Sequence, residues 1–342
     1  AHALEEAIAV TRSLGRLRYM VHDEVDGAIR NRSWRWSYHD FDRPLKYIRD
    51  GSIVEGEGSA DTRPFMLGIT ATLSPSQATE VQRALGFDLE TELVLLPTDR
   101  TNLSYAVLNM LYFDGGYTAL LRETARRLMP MLLSEVRSMI FGATRACVEI
   151  IAEHLRTLGV LAVAYHSDMG GEALKKAWAW WVRTPHAVLV STSLAGTGRN
   201  EPSVSFVVHM TLRPRIEEMV QEWGRAGRAG QRATIYIAFH PLLLDKLAYF
   251  VDFEDSTMVG LLLDVLGLVA MHTGCRRQRT QQLLGDETYA ATRCPYCNEY
   301  GLRGGGGGTA DVGLEVGEWA GGGGGGGEGA NAGKKRKRAG EA

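Results

Sequence analysis

No apolar run in the 342 residues approaches the roughly 20 residues that a bilayer-spanning helix needs, so the composition argues against a membrane partner. The opening stretch, Ala1 to Val21, lacks a charged segment followed by an apolar core, so it does not read as a secretory leader. It also lacks an initiator Met and opens inside a helix-like pattern, so the expectation is a fragment of a longer chain. Cysteine is scarce. Of the 4 Cys, three stand late, at Cys275, Cys294 and Cys297, which suits metal ligation better than a disulfide framework. An excess of charge of one sign is missing too. Lys and Arg number 38 against 40 Asp and Glu, a net charge of -2, which argues against an extended DNA-coating surface and leaves room for a local basic groove. The 45% hydrophobic and 23% charged content is that of a soluble globular chain.

Glycine is abundant, and unevenly so. After Arg303 the last 39 residues hold 17 of the 40 Gly, a composition that cannot bury enough apolar surface to offset its ordering entropy. Residues 304–342 are therefore expected to be a disordered tail, ending in the basic cluster Lys334 to Arg338. Before that break, strand-like and helix-like runs alternate, which predicts an α/β fold. Strands are expected at Leu17–His22, Pro64–Thr70, Glu92–Leu96, Ser138–Phe141, Leu161–Tyr165, Ala187–Ser191, Ser205–His209 and Ala233–Phe239. Helices are expected at Ser76–Leu85, Arg145–Leu158, Gly171–Val182 and Arg215–Trp223. Ser74 followed by Pro75 is a helix-start signal. In the second helix Cys147, Ile150, Ile151, His154 and Leu155 share one face. A mostly helical section follows from His240 to about Leu284, and its apolar run Met258–Met271 reads as a buried helix.

Several strings could carry chemistry. Asp23-Glu24-Val25-Asp26 follows a strand, where carboxylates can hold Mg²⁺ and orient a water, although three acids in four residues are commonly a solvated loop. Between Trp34 and Pro44, aromatics alternate with Arg and His. Such a string can stack on unpaired bases while cations hold phosphates, or it can be a packing cluster. Ile69-Thr70-Ala71-Thr72 ends a strand with two hydroxyls. Ser191 to Gly198 also follows a strand, and its Gly pair allows close approach of a phosphate, as it would a simple turn. The most specific string is Gln221-Glu222-Trp223-Gly224-Arg225-Ala226-Gly227-Arg228-Ala229-Gly230. Two Arg three residues apart, among small residues, fit a clamp on oxyanions. Cys294-Pro-Tyr-Cys297 with Cys275 supplies three thiolates for Zn²⁺, one short of a closed site.

In this order the strings resemble the RecQ family of superfamily-two DNA helicases over about residues 15–300. Asp23 to Asp26 is similar to its DExH box. Trp36, His39-Asp40-Phe41 and Arg43-Pro44 resemble its aromatic-rich loop, and Ile69–Thr72 its Thr-Ala-Thr motif. Arg100-Thr-Asn102-Leu103 resembles its Arg-Pro-Asn-Leu element. Ser138–Phe141 and Tyr165-His166 look like the opening strands of the second motor domain. Thr192 to Asn200 resembles motif five, Gln221 to Arg228 motif six, and Gly274-Cys275-Arg276-Arg277 the opening of the zinc subdomain.

The resemblance implies two RecA-like lobes with ATP and Mg²⁺ between them. The first, incomplete, would cover 1–88 and the second 89–245, followed by a helical zinc-binding subdomain at 246–303 and the tail at 304–342. Asp23 would hold Mg²⁺ and Glu24 would activate the hydrolytic water. Arg225 and Arg228, with Gln221, would serve the γ-phosphate. Thr70, Thr72 and Gly198 would link ATP state to DNA grip. Trp34, Trp36, His39, Phe41 and Arg43 would bind DNA. The implied activity is ATP-dependent 3′ to 5′ DNA unwinding, in repair or recombination.

The departures are equally specific. No Gly-x-x-x-x-Gly-Lys-Ser/Thr loop occurs in the sequence, so the phosphate cradle is missing and the 342 residues alone are expected to be inactive. Asp26 replaces the His of the DExH box, Asp42 splits the aromatic loop, Glu201 replaces a basic residue, and Tyr300 stands at the fourth zinc Cys. These differences keep open a second reading, a nucleic-acid-binding remnant that no longer hydrolyses ATP. Lys334 to Arg338 suits nuclear import, or a phosphate-binding tail.

Overall fold

The computed structural model describes residues 10–11, 18–27, 65–85, 87, 91–133, 137–193, 201–244, 251–271 and 274–286. Within them, β1 (Tyr19–Asp23) pairs in parallel with β2 (Phe65–Ile69), Asp23 standing opposite Ile69. Helix α1 (Pro75–Leu85) follows. Its start is a capping box: Ser74 Oγ accepts from the Gln77 N–H at 3.3 Å, and Gln77 Oε1 accepts from the Ser74 N–H at 2.9 Å. Val81 and Leu85 on α1 then bury Val25 behind the two strands.

The larger sheet has the order β3-β8-β7-β4-β6-β5 and is parallel throughout. Its strands are β3 (Leu103–Asn109), β4 (Arg137–Phe141), β5 (Ala162–Tyr165), β6 (Val188–Ser191), β7 (Val204–His209) and β8 (Ala233–Phe239). Helices α2 (Tyr117–Leu132), α3 (Arg145–Thr157), α4 (Gly171–Arg183) and α5 (Ile216–Trp223) cover it, with the short α6 (Pro241–Leu244) after β8. A parallel sheet needs cover on both faces, and the period-two alternation of the strands divides accordingly. Met139, Phe141, Leu189 and Val207 face a core shared with α4 and α5. Ile140, Val188, Val190 and Val208 face one shared with α2 and α3. The buried stripe of α3 is Cys147, Val148, Ile151, Ala152 and Leu155, one step round the helix from the expected face.

Two expectations need correction. Glu92–Leu96 is not a strand: residues 91–100 have no regular secondary structure, and Leu93 to Leu96 are all exposed. An apolar run becomes a strand only where a neighbouring edge accepts its hydrogen bonds, and the chain here runs between the two sheets. Second, the strand that opens the larger sheet is β3, not Ser138–Phe141. The described part of the helical section after residue 246 packs against the large sheet and its helices. Helices α7 (Ser256–Val269) and α8 (Arg276–Leu283) pack on each other, α7 also on α5 and α8 on β3. Leu262, Val265, Leu268, Val269 and Leu284 join the core of the large sheet. No helix among the described residues is long and apolar enough to cross a membrane.

Candidate functional site

A cleft of about 1500 Å³ opens between the end of the small sheet and the α5 side of the large one. On one wall the chain leaves β1 at Asp23 and turns sharply. Glu24 takes a left-handed φ of 51°, unusual for a residue with a side chain and the kind of strain that gathers at working sites. Its N–H donates to Asp23 Oδ1 at 3.0 Å, and its carbonyl accepts from the Gly27 N–H at 2.9 Å. The turn directs Asp26 inward, where it is 1% exposed and accepts from the Thr70 hydroxyl at 2.9 Å. Thr70 Oγ1 in turn accepts from the Thr72 N–H at 3.4 Å. The acidic turn and the Thr70–Thr72 segment are thus tied by side chains as well as by the Val25 N–H to Ile69 carbonyl bond at 3.1 Å.

The opposite wall is the turn after α5. Gly224, Arg225 and Arg228 line the cleft together with Gln221 and Arg100. Arg228 Nε donates to the Gly224 carbonyl at 2.9 Å, and Arg100 Nη2 donates to the Gly227 carbonyl at 2.7 Å. Gly227 has a φ of +63°, and a Cβ there would stand 2.4 Å from Asn102 Nδ2, so no larger residue fits unmoved. Burial and the neighbouring Arg228 both depress the Arg225 pKa, against the pull of Glu24 and Glu222. Burial, then Arg100, does the same to Arg228. Three guanidiniums partly withdrawn from water near one another form a cradle that an anion would relieve.

Behind this turn lies a group absent from the sequence reading. Glu222 is bound by Arg213, Nη2 to Oε1 at 2.9 Å and Nε to Oε1 at 3.2 Å. His209 Nδ1 lies 3.4 Å from Glu222 Oε2, and its ring stacks on Phe141 with centroids 5.2 Å apart. Burial, then Arg213, lowers the His209 pKa to about 3, so the ring is neutral at ordinary pH. The two walls are also bridged directly, Gln77 Nε2 donating to Glu217 Oε1 at 2.5 Å. Neither residue belongs to a motif, and a capping Gln gives no sign that its amide also reaches another helix.

The structure therefore brings Asp23, Glu24, Thr70, Thr72, Gln221, Arg225 and Arg228 onto one cleft. Cys275 precedes α8 and is half-buried, and among the described residues no three His, Cys, Asp or Glu side chains gather as a metal site. Trp34, Trp36, His39, Phe41 and Arg43, then Gly198, then Cys294, Cys297 and Tyr300, lie outside the described residues, as do Asp42 and the tail.

Comparison with known proteins agrees with this architecture. Residues 122–230 match the family model of the helicase conserved C-terminal domain. Among solved structures, Mycobacterium smegmatis helicase Lhr bound to ssDNA and AMP-PNP shares the fold at TM-score 0.51 and 18% identity, over 82% of this chain and 39% of that one. Mss116p bound to ssRNA and AMP-PNP does so at TM-score 0.51 and 15% identity, over 74% of this chain and 49% of that one. The fold is thus that of the RecA-like α/β helicases.

Sequence relatives narrow the class. They include ATP-dependent DNA helicase RecQ of Pasteurella multocida, 28% identical over 70% of this chain and 36% of its own length. ATP-dependent DNA helicase Q4 of Mus musculus is 30% identical over 60% and 17%, and ATP-dependent DNA helicase Q-like 2 of Arabidopsis thaliana 27% over 62% and 29%. The chain is similar to these RecQ-named DNA helicases over 60–70% of its length. It spans well under half the length of each of these curated relatives.

Proposed function

We propose that this chain is part of an ATP-driven 3′ to 5′ DNA helicase of RecQ type, working in repair or recombination in the nucleus. The observation that carries the reading is the single cleft on which Asp23 and Glu24 converge with Arg225 and Arg228. Asp23 and Glu24 suit the Mg²⁺ and water side of a phosphoryl-transfer site, and the arginine cradle suits the charge that develops on the γ-phosphate. Gln221 lines the same wall. ATP, when bound with Mg²⁺, supplies the free energy. The Thr70–Asp26 bond gives a route by which the state of the acidic turn reaches the segment proposed, with Gly198, to grip DNA. Trp34, Trp36, His39, Phe41 and Arg43 complete the proposed DNA contacts. The boundaries 1–88, 89–245, 246–303 and 304–342 remain the proposed division, with Zn²⁺ held by Cys275, Cys294 and Cys297.

Two departures from the family pattern fit an intact motor. Asp26 is used as a hydrogen-bond acceptor, and Glu201 pairs with Arg137 at 2.9 Å. The second reading is a nucleic-acid-binding remnant that no longer hydrolyses ATP.

The test compares this chain with one joined to a segment bearing a Gly-x-x-x-x-Gly-Lys-Ser/Thr loop. The 342 residues should release no phosphate from ATP above a Glu24→Gln control. The joined chain should show DNA-stimulated release that Glu24→Gln abolishes. A joined chain that binds ATP and DNA without turnover would leave the remnant reading standing and remove the motor.

A further inference from the structure

Thr98, Asp99 and Arg100 tie together two parts of the molecule that no motif connects. On one side, Arg277 of α8 is 1% exposed, and its Nε lies 3.0 Å from Asp99 Oδ1. A guanidinium so far from water is costly unless paired, and removing its partner leaves a buried charge uncompensated. Thr98 adds to the same attachment: its N–H donates to Asp286 Oδ2 at 2.9 Å, and its hydroxyl bonds Asp286 and Gln281. On the other side, Arg100 reaches the opposite way. Its guanidinium donates to the Gly227 carbonyl at 2.7 Å and the Gly224 carbonyl at 3.4 Å. Asn102 follows, donating to the Gly227 and Gln231 carbonyls at 2.9 and 2.8 Å. One short strap is therefore fixed to α8 at its first residues and grips the arginine turn with its last. Helix α8 is itself seated, with Thr280, Gln281 and Leu284 buried.

We propose that Arg277 is a positioning residue: through Asp99 and Arg100 it sets where the Gly224–Arg228 turn presents Arg225 and Arg228 to the cleft. Helix α8 then belongs to the working wall of the motor and is no appendage to it. The functional meaning rests on the nucleotide role proposed above for that turn, whereas the mechanical link is measurable without nucleotide.

The experiment is amide hydrogen exchange on the full 342-residue chain. Arg277→Met and Asp99→Asn should each speed exchange across residues 224–230 by about tenfold or more, leaving α3 unchanged, because only the local opening is made easier. Arg277→Lys, which keeps the charge, should recover part of the protection. Combining Asp99→Asn with Arg277→Met should add little to either alone, since both break one contact. Unchanged exchange at 224–230 in both single variants would overturn the proposal, and so would an equal rise in α3. If Arg277→Met does not fold, the isosteric Asp99→Asn carries the same test. ATPase of the chain joined to a phosphate loop separates the two ideas. Faster exchange with unaltered kcat would keep the strap and remove the turn from the nucleotide site. Unaltered exchange would remove the strap whatever the kcat.

Discussion

Replacing Gly227 with Ala puts a methyl group where the arginine turn has no room for one. The new Cβ would lie 2.4 Å from Asn102 Nδ2, 3.0 Å from the Gln231 carbonyl oxygen and 3.2 Å from Leu103 Cδ2. A φ of +63° costs an L-residue about 1 kcal/mol. Asn102 must then retreat from two hydrogen bonds, each contributing about 1 kcal/mol. The sum, about 3 kcal/mol, should lower the melting temperature of a chain this size by about 4–5 °C. Gly230 is the internal control. Its φ is +83°, but a Cβ there meets nothing within 4 Å, so Gly230→Ala should lose only the conformational part, about 1 kcal/mol. The difference isolates crowding from backbone strain. Thermal melts of wild type, both variants, and Gly227→Ala combined with Asn102→Ala would measure it. In the combined variant the obstructing amide is gone, so Gly227→Ala should cost less than it does alone. Equal losses for Gly227→Ala and Gly230→Ala would refute the reasoning, because the close contact would then have no energetic consequence.

Three further outcomes are expected. His209 titrates near 3 when folded and near 6.5 when unfolded, so its contribution is intact above pH 6.5 and is lost as pH falls toward 3. Urea melts from pH 7 to 4 should therefore show a steeper acid loss for wild type than for His209→Gln. In a chain joined to a phosphate loop, Arg228→Ala should cut ATP turnover by on the order of 10³-fold while DNA binding measured by anisotropy survives. Wild type should hold weak, substoichiometric Zn²⁺, since a phenol with a pKa of about 10 is a poor fourth ligand. Tyr300→Cys should raise both the zinc content by elemental analysis and the chelator-sensitive melting temperature.

The parts of the fold legible in the sequence are those whose burial leaves a local pattern. Val188, Leu189 and Val190 form a short apolar run because β6 is covered on both faces, and that run is visible without a structure. Helix α2 carries an equally legible pattern: Leu120, Leu121, Thr124, Ala125, Leu128 and Leu132 recur on one face. Strand β3 is harder to see, since Ser104 and Asn109 interrupt it and its pairing partner β8 lies far along the chain. The Glu92–Leu96 run failed for the opposite reason, an apolar pattern with no strand beside it. At the cleft, the Gly and Arg spacing of Gln221 to Gly230 was readable because close approach and charge demand particular residues. Asp99 with Arg277, and Gln77 with Glu217, were not readable. Their pairing depends on where the folded chain returns, and neither residue of either pair is unusual at its own position.

The exposed run between the sheets has a practical consequence. Val94 and Leu96 are 70% and 77% exposed, and Leu93 and Leu95 are about half exposed. Exposed, uncharged aliphatic runs are the raw material of intermolecular strand pairing, the step that begins aggregation. The sequence brackets the run with Glu92 and Pro97, a charge at one end and a residue without an N–H at the other. These are gatekeepers of the kind that flank unavoidable apolar strands. Handling of the purified chain will therefore depend on the two residues that flank this run.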